Sequence, residues 1–195
     1  METITAKRKT FNIIEKLSDN SFKVERKGKF YFLKQLSLED QSFDTWFNKY
    51  KRLKVAGIMI PKVRIIDKKT GIYVSDFVNG TRVLDALIKD DLDEKYYQLV
   101  FINGFYEKQE RFNLNYQPEN WLMGEDGKLY YMSFEYTDKY VPENSFEKKG
   151  IFYWFYTRQF ADYLNTKGIE VDKTRLKNEY ETNKKILMIV VKYHL

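Results

Sequence analysis

The first part of the chain alternates short apolar runs with polar turns. Aromatic and β-branched residues dominate residues 11–14, 22–25 and 30–36, and the polar stretches SDNS and KGK separate them. Runs of this kind, divided by turn-forming residues, are typical of antiparallel strands. Residues 62–67 and 71–78 repeat the pattern on either side of a DKKTG turn. The pattern therefore predicts five strands, of which the first three form a meander.

A helical period interrupts these strands. Apolar residues recur at steps of three and four at Phe43, Trp46, Phe47, Tyr50 and Leu53. This spacing predicts an amphipathic helix that ends at Gly57, with its aromatic side chains toward the core. Its basic residues would then form a solvated face, made of Lys49, Lys51, Arg52 and Lys54.

Helical periods dominate from about residue 79 onward. Residues 91–111, 151–164 and 172–193 each carry apolar residues at helical spacing. The positions expected to be buried are Tyr97, Val100, Phe101 and Phe105, then Tyr153, Tyr156, Phe160, Tyr163 and Leu164, then Leu176, Tyr180, Leu187 and Val190 or Val191. Strands followed by helices indicate an α+β fold, with residues 1–78 and 79–195 as two parts of one unit.

Composition limits the chemistry that is open to the chain. Its 195 residues contain no cysteine and a single histidine, His194, next to the C-terminus. These counts exclude disulfides and thiolate zinc sites, and they disfavour histidine-based catalysis. The longest apolar run has six residues, ILMIVV, against roughly 20 for a membrane span. We expect a cytoplasmic protein without a membrane span, whose net charge of +6 favours anionic partners.

The stretch NLNYQPENWLMGEDGKLYYMSFE, residues 113–135, combines a Pro-x-Asn turn with a short hairpin. Three earlier stretches precede it along the chain, in the order KFYFLKQL, AGIMIPKVRIID and IYVSDFVNGTRVLDAL. The four stretches in this order resemble the protein-kinase-like fold of small-molecule and atypical kinases. The resemblance implies a two-lobed α+β fold. A small antiparallel-sheet N-lobe with one helix would span residues 1–78, and a mainly helical C-lobe residues 79–195.

The same resemblance implies a nucleotide site with ATP and Mg²⁺ between the lobes. Lys34 corresponds to the nucleotide lysine of the third strand, and Asp76, Phe77 and Val78 correspond to the strand end and hinge. A carboxylate on the helix should pair with the lysine, for which Glu39, Asp40 and Asp44 are the candidates. The first hairpin, KLSDNSFKV, has no glycine, so a close backbone cradle for phosphates is not expected.

Two catalytic carboxylates of the resemblance are replaced. Related loops read His-x-Asp-x-x-Pro-x-Asn, which places Asn115 at the catalytic aspartate and keeps Asn120 as a metal ligand. Related metal loops begin with aspartate, where this chain has Ser133, and Glu135 two residues later could supply a substitute carboxylate. Loss of a positioned general base typically costs about 10²–10⁴-fold in rate, and Mg²⁺ prefers hard anionic oxygens.

We therefore expect an impaired kinase-like domain that binds a nucleotide or a protein partner. One alternative is an active atypical phosphotransferase in which Asn120 and Glu135 hold the metal. The other is a basic module for nucleic acid, which the net charge and the stretch WFNKYKRLK favour. The helical spacing of Trp46, Phe47 and Tyr50 argues against that stretch as the binding surface, because it directs these rings to the core.

Overall fold

A computed structural model describes residues 2–39 and 42–193, with the side chain of Lys177 left out. The protein is α+β, with a curled antiparallel sheet and five α-helices in the described part of the chain. Its strands are β1 (Thr3–Ala6), β2 (Lys9–Ser18), β3 (Ser21–Arg26), β4 (Lys29–Gln35), β5 (Val63–Asp67), β6 (Ile72–Asp76), β7 (Gly80–Arg82), β8 (Asn113–Leu114), β9 (Trp121–Gly124), β10 (Leu129–Tyr131) and β11 (Tyr136–Thr137). Its helices are α1 (Ser42–Val55), α2 (Val83–Lys89), α3 (Glu94–Glu110), α4 (Arg158–Thr166) and α5 (Glu179–Tyr193).

The chain divides into two compact units. Residues 1–52 and 60–79 form the first unit, and residues 53–59 and 80–195 form the second. The first unit contains the six-stranded sheet. The second contains a three-stranded sheet, a two-stranded sheet and the helices α2 to α5. Each unit is described separately below.

The sheet of the first unit has the strand order β1-β2-β3-β4-β6-β5, with every neighbouring pair antiparallel. The five predicted strands are confirmed as β2 to β6, and β1 is an additional edge strand. The backbone N–H of Lys7 donates to the Asp67 carboxylate at 2.7 Å, which ties the β1–β2 turn to the end of β5 at the opposite edge. The sheet therefore curls over an apolar core formed by Ala6, Phe11, Val24, Leu33, Ile65, Ile72 and Val74.

Helix α1 has the aromatic buried face that its spacing predicts. Phe43, Trp46 and Tyr50 are buried, and the indole of Trp46 stacks on the ring of Tyr73 with centroids 3.9 Å apart. Because Tyr73 lies on β6, α1 covers one face of the sheet. The predicted stop is also confirmed, since α1 ends at Val55 and Gly57 takes a φ of +84° that favours glycine.

The predicted helices at residues 151–164 and 91–111 need correction. Residues 151–164 do not form one helix: Gly150–Tyr153 is a 3₁₀ turn, and α4 begins at Arg158. Thr157 causes the break, because its extended backbone interrupts the helix and its hydroxyl accepts the N–H of Phe160 at 3.2 Å as an N-cap. In α3, Tyr97, Val100 and Phe101 are buried as predicted, whereas Phe105 is 40% exposed.

The last predicted helix begins at Glu179, after a 3₁₀ turn at Arg175–Asn178, and most of its predicted buried stripe is wrong. Leu176 and Val190 are half-buried. Tyr180, Leu187 and Val191 are 78%, 63% and 73% exposed, while Ile186 is buried. The unbroken apolar run 186–191 gave no polar position to mark the solvent side, so the pattern could not choose the face. Residues 2–39 and 42–193 contain no helix with the length and apolar character needed to cross a bilayer. His194 lies outside the described residues.

Candidate functional site

A buried carboxylate of the second unit holds the loop that contains Asn115. Glu107, on α3, has no exposed surface. Its two oxygens accept hydrogen bonds from Asn113 Nδ2 at 3.1 Å, from Leu114 N at 2.8 Å and from the Tyr116 hydroxyl at 2.9 Å. Such a group is costly to bury without partners. Burial raises the pKa of Glu107 to about 7, although its three hydrogen bonds act in the opposite direction.

Two buried indoles fix the backbone of the same loop. Trp121 Nε1 donates to the carbonyl of Asn115 at 3.0 Å, and Trp154 Nε1 donates to the carbonyl of Tyr116 at 2.8 Å. Both indoles are fully buried, and the Tyr116 and Trp121 rings are parallel with centroids 5.6 Å apart. Buried carbonyls need such donors because water cannot reach them. The loop is therefore held in one conformation from its core side.

One tyrosine joins the two stretches in which the resemblance expects catalytic carboxylates. The buried hydroxyl of Tyr131 accepts the N–H of Asn115 at 3.1 Å and donates to the carbonyl of Glu135. Burial raises the pKa of Tyr131 to about 12. The phenol thus stays neutral and can serve as donor and acceptor together. The hydroxyl of Tyr131 therefore joins the backbones of Asn115 and Glu135.

The two replacement side chains take part in local turns. Asn115 Oδ1 accepts the N–H of Gln117 at 3.0 Å, and Ser133 Oγ accepts the N–H of Glu135 at 3.1 Å. These are the two-residue contacts that asparagine and serine commonly make in turns. Neither position supplies an anionic oxygen. In this arrangement an amide and a hydroxyl stabilise loop geometry at the two positions where the resemblance expects a carboxylate.

Asn120 lies next to Ser133 in the backbone pairing. It ends the 3₁₀ turn Pro118–Asn120, and its carbonyl accepts the N–H of Met132 at 2.7 Å. Its side-chain Nδ2 is buried and has no hydrogen-bond partner in the described part of the chain. Asparagine binds a cation through Oδ1, so the orphaned Nδ2 does not itself indicate a metal.

Mg²⁺ does not fit these residues well. Of the three positions expected to bind it, Asn120 and Ser133 offer neutral oxygens, Ser133 Oγ already accepts a backbone N–H, and Glu135 alone is anionic. Protein magnesium sites use one or two carboxylates together with substrate phosphates. Within residues 2–39 and 42–193, no three His, Cys, Asp or Glu side chains lie together as a metal site would require.

A pocket of about 370 Å³ opens beside this loop in the second unit. Its lining contains four amide side chains, those of Asn113, Asn115, Gln117 and Asn144. Glu135 and Lys149 add one negative and one positive group. Three tyrosines together with Leu114, Thr137 and Gly150 complete the wall. Amides, hydroxyls and one charge of each sign suit a polar ligand that both donates and accepts hydrogen bonds.

The predicted nucleotide lysine lies in the first unit, on β4. Lys34 is paired in register with Ser21 and Tyr73, and Tyr73 stacks on Trp46 of α1. Lys34 therefore occupies the face of the sheet that α1 covers, and it is half-buried. It forms no ion pair with any residue in 2–39 or 42–193, so neither Glu39 nor Asp44 is its partner. Asp40, the third candidate, lies outside the described residues.

The strand-end residues are not grouped with Lys34. The Asp76 carboxylate forms a bidentate pair with Arg64, with both nitrogen–oxygen distances 2.6 Å. Because Asp76 is paired with Tyr31, three residues from Lys34, it lies on the opposite face of the sheet. Phe77 lies under the ammonium group of Lys23 at 4.6 Å, and Val78 is half-buried directly after it.

Sequence reasoning missed Glu107, Tyr131 and Lys149. A signal for Glu107 was present, because it lies at helical spacing from Val100 and Gly104 on the buried side of α3. A charged residue at a core position requires partners, and the 113–116 loop supplies them. Tyr131 and Lys149 carried no such signal, since their roles depend on contacts between separate segments.

No protein-family model matches the chain, and no curated protein sequence matches it. The roles of its residues therefore rest on their own contacts and chemistry.

Proposed function

We propose that the chain is a kinase-like domain, with residues 1–78 and 79–195 as its lobes, that binds a nucleotide without efficient phosphoryl transfer. The observation that carries this proposal is that the side chains at the two replaced positions, Asn115 and Ser133, are neutral and bonded within their own turns. Asn115 and Ser133 have neutral side chains whose oxygens accept backbone N–H groups of their own turns. Phosphoryl transfer needs a residue that positions the acceptor and charges that neutralise the phosphates.

Two features of the first unit support nucleotide binding. Strand, strand, strand, helix, strand, strand is the order of β2, β3, β4, α1, β5 and β6, as the resemblance implies. Lys34 is half-buried on the helix-covered face and, among the described residues, has no carboxylate partner to neutralise it. A partly buried ammonium group without a counter-ion is suited to a phosphate.

In this proposal, ATP binding depends little on Mg²⁺. With Glu135 as the one carboxylate among the candidate ligands, nucleotide phosphates would have to supply most of the anionic oxygens around Mg²⁺. Lys34 would then carry the main share of phosphate neutralisation. We expect the affinity for ATP to change little when Mg²⁺ is removed.

An active phosphotransferase that uses Asn120 and Glu135 is the second candidate. The observation in its favour is that Glu135 and Asn115 line the same pocket, so a carboxylate is present beside the loop. In this candidate Glu135 would serve in place of the missing aspartates. The candidates differ in whether labelled phosphate leaves ATP.

Thermal stability and phosphate transfer, measured together, test the proposal. Wild type, Lys34→Ala, Glu135→Ala and the control Lys69→Ala are melted with ATP, with and without Mg²⁺ or Mn²⁺, and are incubated with labelled ATP. A ligand that binds the folded form alone raises its stability by about 2.7 kcal/mol at 100 times its Kd. We expect stabilisation of wild type, Glu135→Ala and Lys69→Ala, its loss in Lys34→Ala, and no transfer.

Two results would contradict the proposal. Transfer that disappears in Glu135→Ala would establish the second candidate. Absence of any stabilisation by ATP would remove nucleotide binding and leave a scaffold for a protein partner.

A further inference from the structure

A second pocket, of about 590 Å³, opens in the first unit on the face of the curled sheet that covers the apolar core. Phe11, Ile65 and Val74 belong both to its lining and to the core. Lys34 lies on the other face of the sheet, because it alternates along β4 with the core residue Leu33. The pocket is therefore separate from the proposed nucleotide lysine.

The curl of the sheet brings two distant strands to this pocket. β2 and β5 lie near opposite ends of the strand order. Nevertheless, β2 contributes Lys9 and Phe11 to the lining, and β5 contributes Arg64 and Ile65. A flat sheet would separate these strands by about 4.8 Å for each step in the strand order. Their side chains therefore surround one concave site and are not spread over a flat surface.

The strand register places two further cations on the face of the core. Arg26 and Lys29 lie directly opposite each other on β3 and β4. Arg26 alternates in step with the core residue Val24, and Lys29 in step with Leu33. The guanidinium group of Arg26 is 6.0 Å from the centroid of the Phe11 ring. Directly opposed side chains have Cβ atoms about 5 Å apart, so Arg26 and Lys29 can contact the same anion.

Ring contacts and an ion pair connect the remaining polar groups to the same site. The Asp76 carboxylate holds the guanidinium group of Arg64, with both nitrogen–oxygen distances 2.6 Å. Tyr31 lies directly opposite Asp76 in the register of β4 and β6. The Tyr31 ring meets the Phe11 ring edge-on, with centroids 5.8 Å apart. Arg26 and Tyr31 thus both contact Phe11, and Tyr31 adjoins the residue that binds Arg64.

The pocket carries uncompensated positive charge. Lys9, Arg26, Lys29 and Arg64 line it together with one carboxylate, that of Asp76, which Arg64 already binds. Within residues 2–39 and 42–193, Lys9, Arg26 and Lys29 form no ion pair. Like charges on directly opposed strand positions repel each other, and a concave site with low-dielectric walls strengthens their field. A bound anion would offset this repulsion.

The exposed ring at the border of the pocket belongs to the other face of the sheet. Phe30 lies opposite Glu25 in the register and alternates with Lys29. The ammonium group of Lys23 is 4.9 Å from the centroid of Phe30 and 4.6 Å from that of Phe77. Among the described residues that line the pocket, no ring on the face of the cations is exposed. The site therefore suits a compact anion better than a base that needs a stacking partner.

We infer that this pocket binds a compact oxyanion of the phosphate class that carries two or more negative charges, which goes beyond the proposed function. Arg26 and Lys29 would hold the anion between them, and Lys9 would add a third cation from β2. Because Asp76 neutralises Arg64, that pair forms a fixed wall of the site. Three remaining cations suit a diphosphate group better than a monovalent anion.

Calorimetric titration with inorganic pyrophosphate, in a buffer free of metal ions and phosphate, tests this inference. Sodium chloride at about 0.15 M screens exposed charges beyond about 8 Å, so a diffuse basic surface should bind little. Wild type should bind pyrophosphate. Arg26→Ala/Lys29→Ala should bind it at least about tenfold more weakly, because each charged hydrogen bond contributes at least that factor.

Arg26→Gln/Lys29→Gln separates the loss of charge from the loss of packing. Glutamine keeps most of the side-chain stem that lies near the Phe11 ring and removes the positive charge. This variant should show the same loss of affinity for pyrophosphate as the alanine variant. Thermal melting of each variant checks that it is folded.

Matched controls make the test specific to this pocket. Lys16→Ala/Lys69→Ala removes the same charge from exposed positions of the first unit outside the pocket, and it should keep the wild-type affinity for pyrophosphate. Lys34→Ala should keep that affinity as well. Arg26→Ala/Lys29→Ala should bind ATP as wild type does. These two variants distinguish a failure of this inference from a failure of the proposed nucleotide site.

Three results would overturn the inference. The first is absence of pyrophosphate binding to wild type. The second is an equal loss in the pocket variants and in Lys16→Ala/Lys69→Ala, which would indicate attraction to the overall charge. The third is a loss of pyrophosphate binding in Lys34→Ala alone, which would assign this anion to the proposed nucleotide site.

Discussion

Glu107 is a carboxyl group buried in the second unit with a pKa near neutrality. Three donors from the 113–116 loop favour its charged form, while burial disfavours that form more strongly and raises the pKa to about 7. In the unfolded chain the same group titrates near its ordinary value of 4.5. The folded state therefore binds this proton more tightly than the unfolded state does between these two pH values.

The free energy of unfolding should decrease as pH rises through this window. Stability linked to Glu107 is fully present below about pH 4.5 and is lost as pH rises through about 7, by about 3 kcal/mol in order of magnitude. The lowered pKa values of Asp67, Asp126 and Asp172 have the opposite effect, at pH values below the window. Urea unfolding followed by tryptophan fluorescence from pH 5 to 8 measures the slope.

Glu107→Gln is the control for this titration, because glutamine keeps the shape and has no proton to lose. The variant should be less stable at pH 5, since its amide hydrogens face the Asn113 amide, and its stability should be nearly flat to pH 8. A wild-type profile parallel to that of Glu107→Gln would show that Glu107 does not titrate there.

At the scale of elements, the two loops of the candidate site are joined through Tyr131. Its hydroxyl satisfies one N–H and one carbonyl that belong to different segments, residues 115 and 135. Tyr131→Phe should destabilise the second unit by about 1–3 kcal/mol, because it removes the hydrogen bonds that its hydroxyl makes with both segments. Hydrogen exchange at the Asn115 amide should become faster in this variant.

Tyr130→Phe is the matched comparison. Its hydroxyl donates to the exposed carboxylate of Asp126 at 2.9 Å, at the tip of the β9–β10 hairpin. Its removal should change stability by less than about 1 kcal/mol and should leave exchange at Asn115 unchanged. Equal exchange rates in the two variants would mean that Tyr131 does not order the loop.

The last helix provides a test of burial at the element scale. Leu187→Gln and Val191→Gln should each change the free energy of unfolding by less than about 0.5 kcal/mol, because both side chains are largely exposed. Ile186→Ala should cost about 2–5 kcal/mol, since it opens a cavity at the buried position of α5. Urea unfolding of the three variants measures this difference. A larger loss of unfolding free energy in Leu187→Gln than in Ile186→Ala would mean that the opposite face of α5 is the buried one.

At the scale of the whole molecule, the sequence predicted where strands and helices lie better than it predicted which of their faces is buried. The strands β2 to β6 and helix α1 followed from alternating or helical apolar periods bounded by turns. The strand β1 was missed because its four residues include one large apolar side chain, Ile4. The short strands β7, β8 and β11 have two or three residues, too few to show a period.

The candidate site was predictable in part. The turn at Pro118 and Asn120 and the hairpin after it followed from the sequence, whereas the assignment of Asn115 and Ser133 as replaced carboxylates stays a prediction. The hydrogen bonds that hold the loop could not be predicted. Tyr131 and Trp154 contact the loop only once the hairpin and the 150–153 turn have folded.

Calorimetric titration of the protein with ATP, with and without Mg²⁺, tests the central claim most directly. Wild type should bind ATP with an affinity that changes little on removal of Mg²⁺. Lys34→Ala should bind about 10- to 100-fold more weakly, as expected for loss of one hydrogen-bonded charge. No heat of binding in wild type, or equal affinity in Lys34→Ala, would contradict the account.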